Sequence, residues 1–282
     1  METTIHRQLK ALYAGDPDCR EVRVNGFRID AIAEGRLVEI QSAPLSAIRR
    51  KVAALLERHR VLVVKPLAER TFIVRRGRRG GPVESQRYSP ARETLFHLFV
   101  ELVHFVDVFP HPRLDLDVLL VEQEEHRRPQ VRRRWRSKEY RVDDRLLRRV
   151  NSRVRLRTAE DLGALLPAGL PAPFTTAEIS RAAAVPRWLA QKIAYCLRKT
   201  GAIAPIGKRR NTILYRAANG LRVCERKGTG TLAEPVFAGI ERTRREPVPF
   251  LSQTLSGAAS LSPLEPCREQ AFHGCMPTSR HS

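Results

Sequence analysis

The segment REVRVNGFRIDAIAEGRLVEIQ, residues 20–41, decides how this chain is read. Val22 and Val24 alternate with polar neighbours, Asn25-Gly26 is a tight-turn pair, and Phe27, Ile29 and Ala31 resume the alternation. Glu34-Gly35 marks a second turn, and Leu37 to Gln41 supplies a third strand. Because side chains alternate faces along a strand, Glu39 and Gln41 share one face while Val38 and Ile40 share the other. A hairpin at Glu34-Gly35 brings Asp30 alongside Glu39. Two carboxylates and an amide thus converge on one side of a small sheet, in a chain whose formal net charge is +21. A site of that composition suits a divalent cation at a phosphodiester.

Asp30 followed by Glu39-Ile40-Gln41 resembles the D…E-x-K/Q signature of the PD-(D/E)XK nuclease superfamily, in the variant with Gln at the Lys position. The surrounding order is similar to that superfamily's α-β-β-β-α-β core: a helix before Arg20, three strands, a helix from about Ser46 and a strand at Val61–Leu67. Over residues 1–217 the chain also resembles an uncharacterised bacterial family that joins such a domain to a winged helix. The resemblance implies an α/β, restriction-endonuclease-like core and a Mg²⁺- or Mn²⁺-dependent DNA endonuclease activity. Asp30, Glu39 and the Ile40 carbonyl would hold the metal, and Gln41 would orient the attacking water. The chain departs from the pattern in two places: Arg28-Ile29 stands where the superfamily often has Pro before its Asp, and Gln41 replaces the catalytic Lys.

Composition sets the frame. At 282 residues the chain is long enough for two modest domains, and 51 Lys+Arg against 30 Asp+Glu call for a polyanionic partner. Five cysteines, odd in number and without a CxxC pair, read as reduced thiols of a cytoplasmic protein. The first residues, METTIHRQLK, carry no apolar core of a signal peptide. The longest apolar run, Leu95–Phe109, is broken by His97, Glu101, His104 and Asp107, which makes it a core helix and no membrane span.

In chain order, Thr3–Ala14 is an amphipathic helix with Ile5, Leu9 and Leu12 at helical spacing. Glu2 and Glu21 are the nearby acids that could add to the metal site, against a default of solvated surface carboxylates. The helix after Ser46 buries Ile48, Val52, Leu55 and Leu56 and places Arg49, Arg50 and Lys51 near the carboxylates, as a phosphate clamp or a solvated basic face. Arg49 or Lys51 could supply the positive charge that Gln41 lacks. A strand at Thr71–Val74 leads into the basic loop Arg75–Gly81. His97 and His104 share a helix face but have no third ligand at metal spacing. Leu114–Val121 reads as a last strand, whose Asp115 and Asp117 are weaker metal candidates because the run continues into further acids and solvent.

Residues 127–138, RRPQVRRRWRSK, hold seven Lys/Arg and no acid. Arg132, Arg133, Arg134 and Arg136 around Trp135 suit backbone neutralisation and base stacking; the plain alternative is a solvated linker. Farther on, helices at Thr158–Leu166, Thr176–Ala184 and Arg187–Lys199 precede a hairpin, Ala202–Ile206 with Ile213–Arg216, tipped by Lys208, Arg209 and Arg210. This resembles a winged helix-turn-helix, which implies Arg187, Gln191, Lys192 and Arg198 at a DNA groove and Lys208–Arg210 at phosphates. Trp188 reads as core beside Leu189. The expected organisation is a nuclease-like domain at 1–126, a basic linker at 127–157, a winged helix at 158–217 and a disordered tail at 218–282, where Cys267, His273 and Cys275 lack a fourth zinc ligand.

Two functions from different classes follow, a DNA endonuclease or a non-catalytic DNA-binding protein on a degenerate nuclease fold, such as a regulator or mobile-element accessory factor. RNA stays open as the polyanion, no membrane partner is expected, and a homodimer would suit cleavage of both strands.

Overall fold

The computed structural model describes residues 2–14, 16–130 and 139–218. Its architecture is mixed α/β. Helix α1 (Thr4–Tyr13) is followed by β1 (Arg20–Val24), β2 (Phe27–Ala33) and β3 (Arg36–Ile40). Both connecting turns place two residues in the left-handed region, Asn25-Gly26 at φ 49° and 79° and Glu34-Gly35 at 51° and 68°. That is the twist two-residue hairpins require, and glycine adopts it without a Cβ clash.

A short 3₁₀ turn and α2 (Arg49–Leu56) lead to β4 (Val61–Arg76), β5 (Val83–Tyr88), α3 (Leu98–Leu102), β6 (Leu114–Pro129) and β7 (Tyr140–Leu156). The strands form one sheet in the order β1-β2-β3-β4-β6-β7, with β5 on the distal half of β4. The pairs β3–β4 and β4–β6 are parallel, and the remainder are antiparallel. The apolar run Val61–Val64 reflects its central place: Leu62 and Val64 pack beneath α1 with Ile5, Leu9, Val38 and Ile40. Val61 and Val63 face the opposite layer, with Val52 and Leu55 of α2 and Phe99 beyond.

That second core continues without a break into α4 (Ala159–Gly163), α5 (Thr176–Ala182) and α6 (Arg187–Lys199), through Leu162, Ile179, Leu189, Ile193 and Leu197. The Cys196 thiol donates to the Phe99 carbonyl at 3.6 Å, tying α6 to α3. Burial pushes that thiol up to about 12, so it stays protonated. Thr175 and Glu178 cap α5 reciprocally, as their spacing predicts. The hairpin β8 (Ile203–Arg209) with β9 (Thr212–Ala217) closes the described chain.

The outer half of the sheet departs from expectation. Residues 140–156, expected within a basic linker, form β7, paired with β6 from Leu116 to Pro129. Val61–Leu67 and Thr71–Val74 are one continuous strand, and the helix expected from Ser89-Pro90 starts only near Leu95. Charge runs disguise these strands: Glu125 sits between Arg127 and Arg145, and Arg148 lies over the Phe72 ring at 4.3 Å while meeting Glu124 at 3.2 Å. The basic loop Arg75–Gly81 turns the β4–β5 hairpin. Residues 131–138 and 219–282, which carry the expectations for the basic bridge and the tail, lie outside the described residues.

Asp117, read as heading toward solvent, is fully buried. Its carboxylate accepts from the Tyr13 hydroxyl at 2.9 Å, from Arg155 at 2.7 and 3.1 Å, and from Arg153. Burial alone would raise its pKa, but the guanidinium bonds outweigh that and hold it below the usual range. One buried anion therefore joins α1, β6 and β7. Replacing Asp117 by Asn should lower stability by about 2–3 kcal/mol in urea unfolding at neutral pH, because the partly exposed arginines regain some hydration. The folded pKa is depressed, so this contribution is present above the unfolded Asp value and fades as pH falls through the folded one. The gap between wild type and variant should narrow on acidification.

Candidate functional site

The ladder between β2 and β3 runs from Ala33↔Arg36 to Ala31↔Val38. One residue farther on, Asp30 takes over: its Oδ2 accepts the Ile40 backbone N–H at 2.8 Å. A side chain thus replaces a main-chain bond where the strands part, and the carboxylate is held in the opening.

The two carboxylates are gripped from different helices. Asp30 Oδ1 lies 3.0 Å from His6 Nε2 and 3.3 Å from Lys10 Nζ, both on α1. Glu39 accepts from Lys51 of α2, whose Nζ is 2.7 Å from each carboxylate oxygen. Lys51 also donates to the Arg28 carbonyl, so one ammonium bridges β2 and β3. Burial acts upward on Asp30, but the bonds from His6 and the Ile40 amide, with the charges of His6 and Lys10, bring its pKa below the usual value. Glu39 goes the other way. Burial raises its pKa and the Asp30 charge adds to that, so Lys51 only partly offsets them. The result is one firmly ionised carboxylate and one that protonates more readily.

Lys10 is a hub that sequence reading missed. It is 5% exposed, and its Nζ meets Glu2 at 2.8 Å, Asp30 at 3.3 Å, and Glu21. The signal was there: His6 and Lys10 lie four residues apart on one stripe of α1, and Glu2, just before that helix, continues the same spacing. The acids Glu2 and Glu21 do gather near Asp30, through that ammonium.

The remaining expected residues divide clearly. Gln41 is buried and its amide donates to the Pro44 carbonyl at 2.8 Å, so its N–H group serves the loop. Arg49 lies 3.6 Å from Asp107, and Arg49 and Arg50 line a cavity of about 280 Å³ with Ser46 and His104. His97 caps its own turn, its Nδ1 accepting the Thr94 N–H at 2.9 Å. Arg187, Gln191 and Arg198 are exposed on α6 and Lys192 is half-buried; Lys208, Arg209 and Arg210 are exposed on the β8–β9 hairpin. Arg132, Arg133, Arg134, Trp135 and Arg136 lie outside the described residues. Trp188 corrects its reading as core: it is 49% exposed. Leu189, Ala190, Ile193, Ala194 and Leu197 fill the inward stripe, and a rotation of about 100° per residue turns Trp188 away from it.

Among the described residues, no group of three or more His, Cys, Asp or Glu side chains is disposed to hold a metal by itself. Two carboxylates with a backbone carbonyl and water still form a donor set of the kind Mg²⁺ accepts, since that ion commonly takes one or two protein carboxylates and keeps several waters. Lysine ammonium groups now stand against both carboxylates. Among the described residues, no helix is long and apolar enough to cross a membrane.

Comparison with known proteins adds kinship without chemistry. No solved structure matches the chain. An uncharacterised protein of Treponema pallidum (strain Nichols) is 29% identical over 216 residues, covering 76% of this chain and 85% of the relative. Residues 3–157, more than half of the chain, match the family model described as Domain of unknown function (DUF8091), a span that holds α1, the whole seven-stranded sheet and both carboxylates. The chain belongs to that family.

Proposed function

We propose that the protein is a metal-dependent nuclease of the PD-(D/E)XK type with an appended winged helix, acting on nucleic acid and on DNA first. The observation that carries this reading is Asp30 bonded to the Ile40 N–H at the point where β2 and β3 separate, with Glu39 on the adjoining strand. The order α1-β1-β2-β3-α2-β4, with β3 parallel to β4, agrees with such a core. The succession α4-α5-α6-β8-β9, with exposed Arg187, Gln191, Arg198, Lys208, Arg209 and Arg210, agrees with a winged helix that docks nucleic acid. The charge of +21 supplies the attraction to phosphate.

In this reading Asp30, Glu39 and the Ile40 carbonyl would hold Mg²⁺ or Mn²⁺, which would supply an activated water and charge for the scissile phosphate. The chain's own residues do the rest. Asp30 stays ionised through His6, Lys10 and the Ile40 amide. Lys51, already on both oxygens of Glu39, would offer its ammonium to a phosphate oxygen brought beside that carboxylate. It thereby takes the electrostatic role that neutral Gln41 cannot fill. Arg49 and Arg50 hold the neighbouring phosphate.

A second reading has its own observation. Both carboxylates are matched by lysines, which suits a DNA-binding protein whose acids serve structure alone. Nicking of supercoiled plasmid separates the two. With Mg²⁺ or Mn²⁺, wild type should nick and EDTA should stop it. Asp30→Ala and Glu39→Ala should each lose at least about 100-fold in rate while retaining DNA affinity. Binding without metal-dependent nicking in wild type would reject the nuclease and leave the binding protein.

Lys51→Met should slow nicking about 100-fold and also shift its pH profile. Glu39 must be ionised to take a metal, and its pKa is already raised, so activity should fall on acidification earlier than for an ordinary glutamate. Lys51 pulls that pKa down, so its removal should move the acid limb to still higher pH. Asp30, His6 and Lys51 are the groups that set the limb, and an unmoved limb in the variant would remove Lys51 from this role.

A further inference from the structure

Beyond Gln41, the segment 42–47 contributes to the lining of two cavities of opposite character, each about 280 Å³. Ser46, Arg49, Arg50 and His104 line the first, whose lining carries cationic groups and no carboxylate. The second is lined by Pro44, Lys65, Glu93, Val100, Glu101 and Trp188, among others. The cavities are close neighbours, since Pro44 and Ser46 are two residues apart and Glu101 and His104 three.

The second cavity is built to refuse phosphate. Its buried Lys65 ammonium donates to the Ala43 carbonyl at 2.8 Å and lies 3.6 Å from Glu101, and the Glu93 carboxylate stands nearby. The walls carry more negative than positive charge. They also offer Leu67, Val100 and half of an exposed indole, a lining suited to a flat, uncharged, hydrogen-bonding ring. The first cavity suits the phosphate of the same nucleotide.

The indole belongs to a wider pattern. Trp188, Gln191, Tyr195 and Arg198 recur at helical spacing along the exposed side of α6, with Trp188 49% and Tyr195 36% exposed. The helix Arg187–Lys199 contains four Lys/Arg and no acid. Seven residues separate the two aromatic rings, about 10 Å along the axis at 1.5 Å per residue. Aromatic rings set in a cationic helix face are what unpaired bases and their backbone require. A fully paired, stacked base presents no free face to Trp188.

We propose that Trp188 and the cavity beneath it receive one unpaired nucleobase next to the phosphate held at Arg49 and Arg50, making the preferred substrate single-stranded or junction nucleic acid. The inference rests on the nucleic-acid reading above and deepens it. It does not depend on catalysis, because stacking requires no metal.

The test is therefore a binding measurement in EDTA on the full-length protein. Fluorescence anisotropy would follow a labelled single strand and the duplex of the same sequence, with wild type, Trp188→Ala and Trp188→Phe. Trp188→Ala should weaken the single strand about tenfold while duplex affinity changes less than twofold. Trp188→Phe should recover most of the loss, since a flat ring is restored. A 2-aminopurine placed in the single strand should be quenched by wild type and not by Trp188→Ala. Equal losses on both substrates, or no loss on either, would overturn the proposal. If wild type binds and discriminates as stated but never cleaves, only the nuclease reading fails.

Discussion

Everything at the candidate site depends on a single hydrogen bond, from the Ile40 amide to the Asp30 carboxylate. A backbone N–H in a sheet ordinarily meets a carbonyl, and leaving it unmet while buried is costly. Asp30 meets it with a charged side chain, so β2 can leave β3 without a lost bond. The departure makes room for groups from both layers: His6 and Lys10 from α1, Lys51 from α2. An apolar residue at position 30 would orphan the Ile40 amide, and a carbonyl there would close the opening. The strand geometry and the carboxylate are one device.

The three strands and the meeting of Asp30 with Glu39 were legible in sequence because their signals are local, whereas the bond from the Ile40 amide was not. Two-residue turns with Gly at a left-handed position, period-two alternation and an acid–x–amide triplet need nothing from distant chain, and β1 to β3 follow them. The continuous apolar run Val61–Val64 identified a strand buried on both faces for the same reason. Helix α6 was equally clear, with Pro186 before it and Leu189, Ile193 and Leu197 in step.

What was not legible depends on long-range pairing. Strand β7 has no clean alternation, because its arginines are matched by acids on β6 that lie 20 or more residues away. Read alone, those residues are a charge run, and only the register Asp117↔Arg155 turns one of them into core. Lys10 escaped for a similar reason: a lysine on a helix is ordinarily solvated, and three acids from separate segments are needed to bury it. Trp188 was misplaced because one residue of helix rotation separates an inward position from a rim position, and the hydrophobicity of Trp does not report which.

The continuous second core sets how far these parts can act together. Were α4 to α6 joined to the sheet by a tether alone, Trp188 and Pro44 would have no fixed separation. Instead, Leu189, Ile193 and Cys196 of α6 share buried contacts with Phe99 and the sheet, and the thiol of Cys196 bonds a carbonyl of α3. The outer face of α6 is consequently indexed to the carboxyl end of β3, where Glu39 and Gln41 lie. A nucleic acid gripped by that helix would reach the carboxylates in one register. On the proposed reading, recognition and chemistry would be coupled through packing, and small changes beneath α6 would alter both.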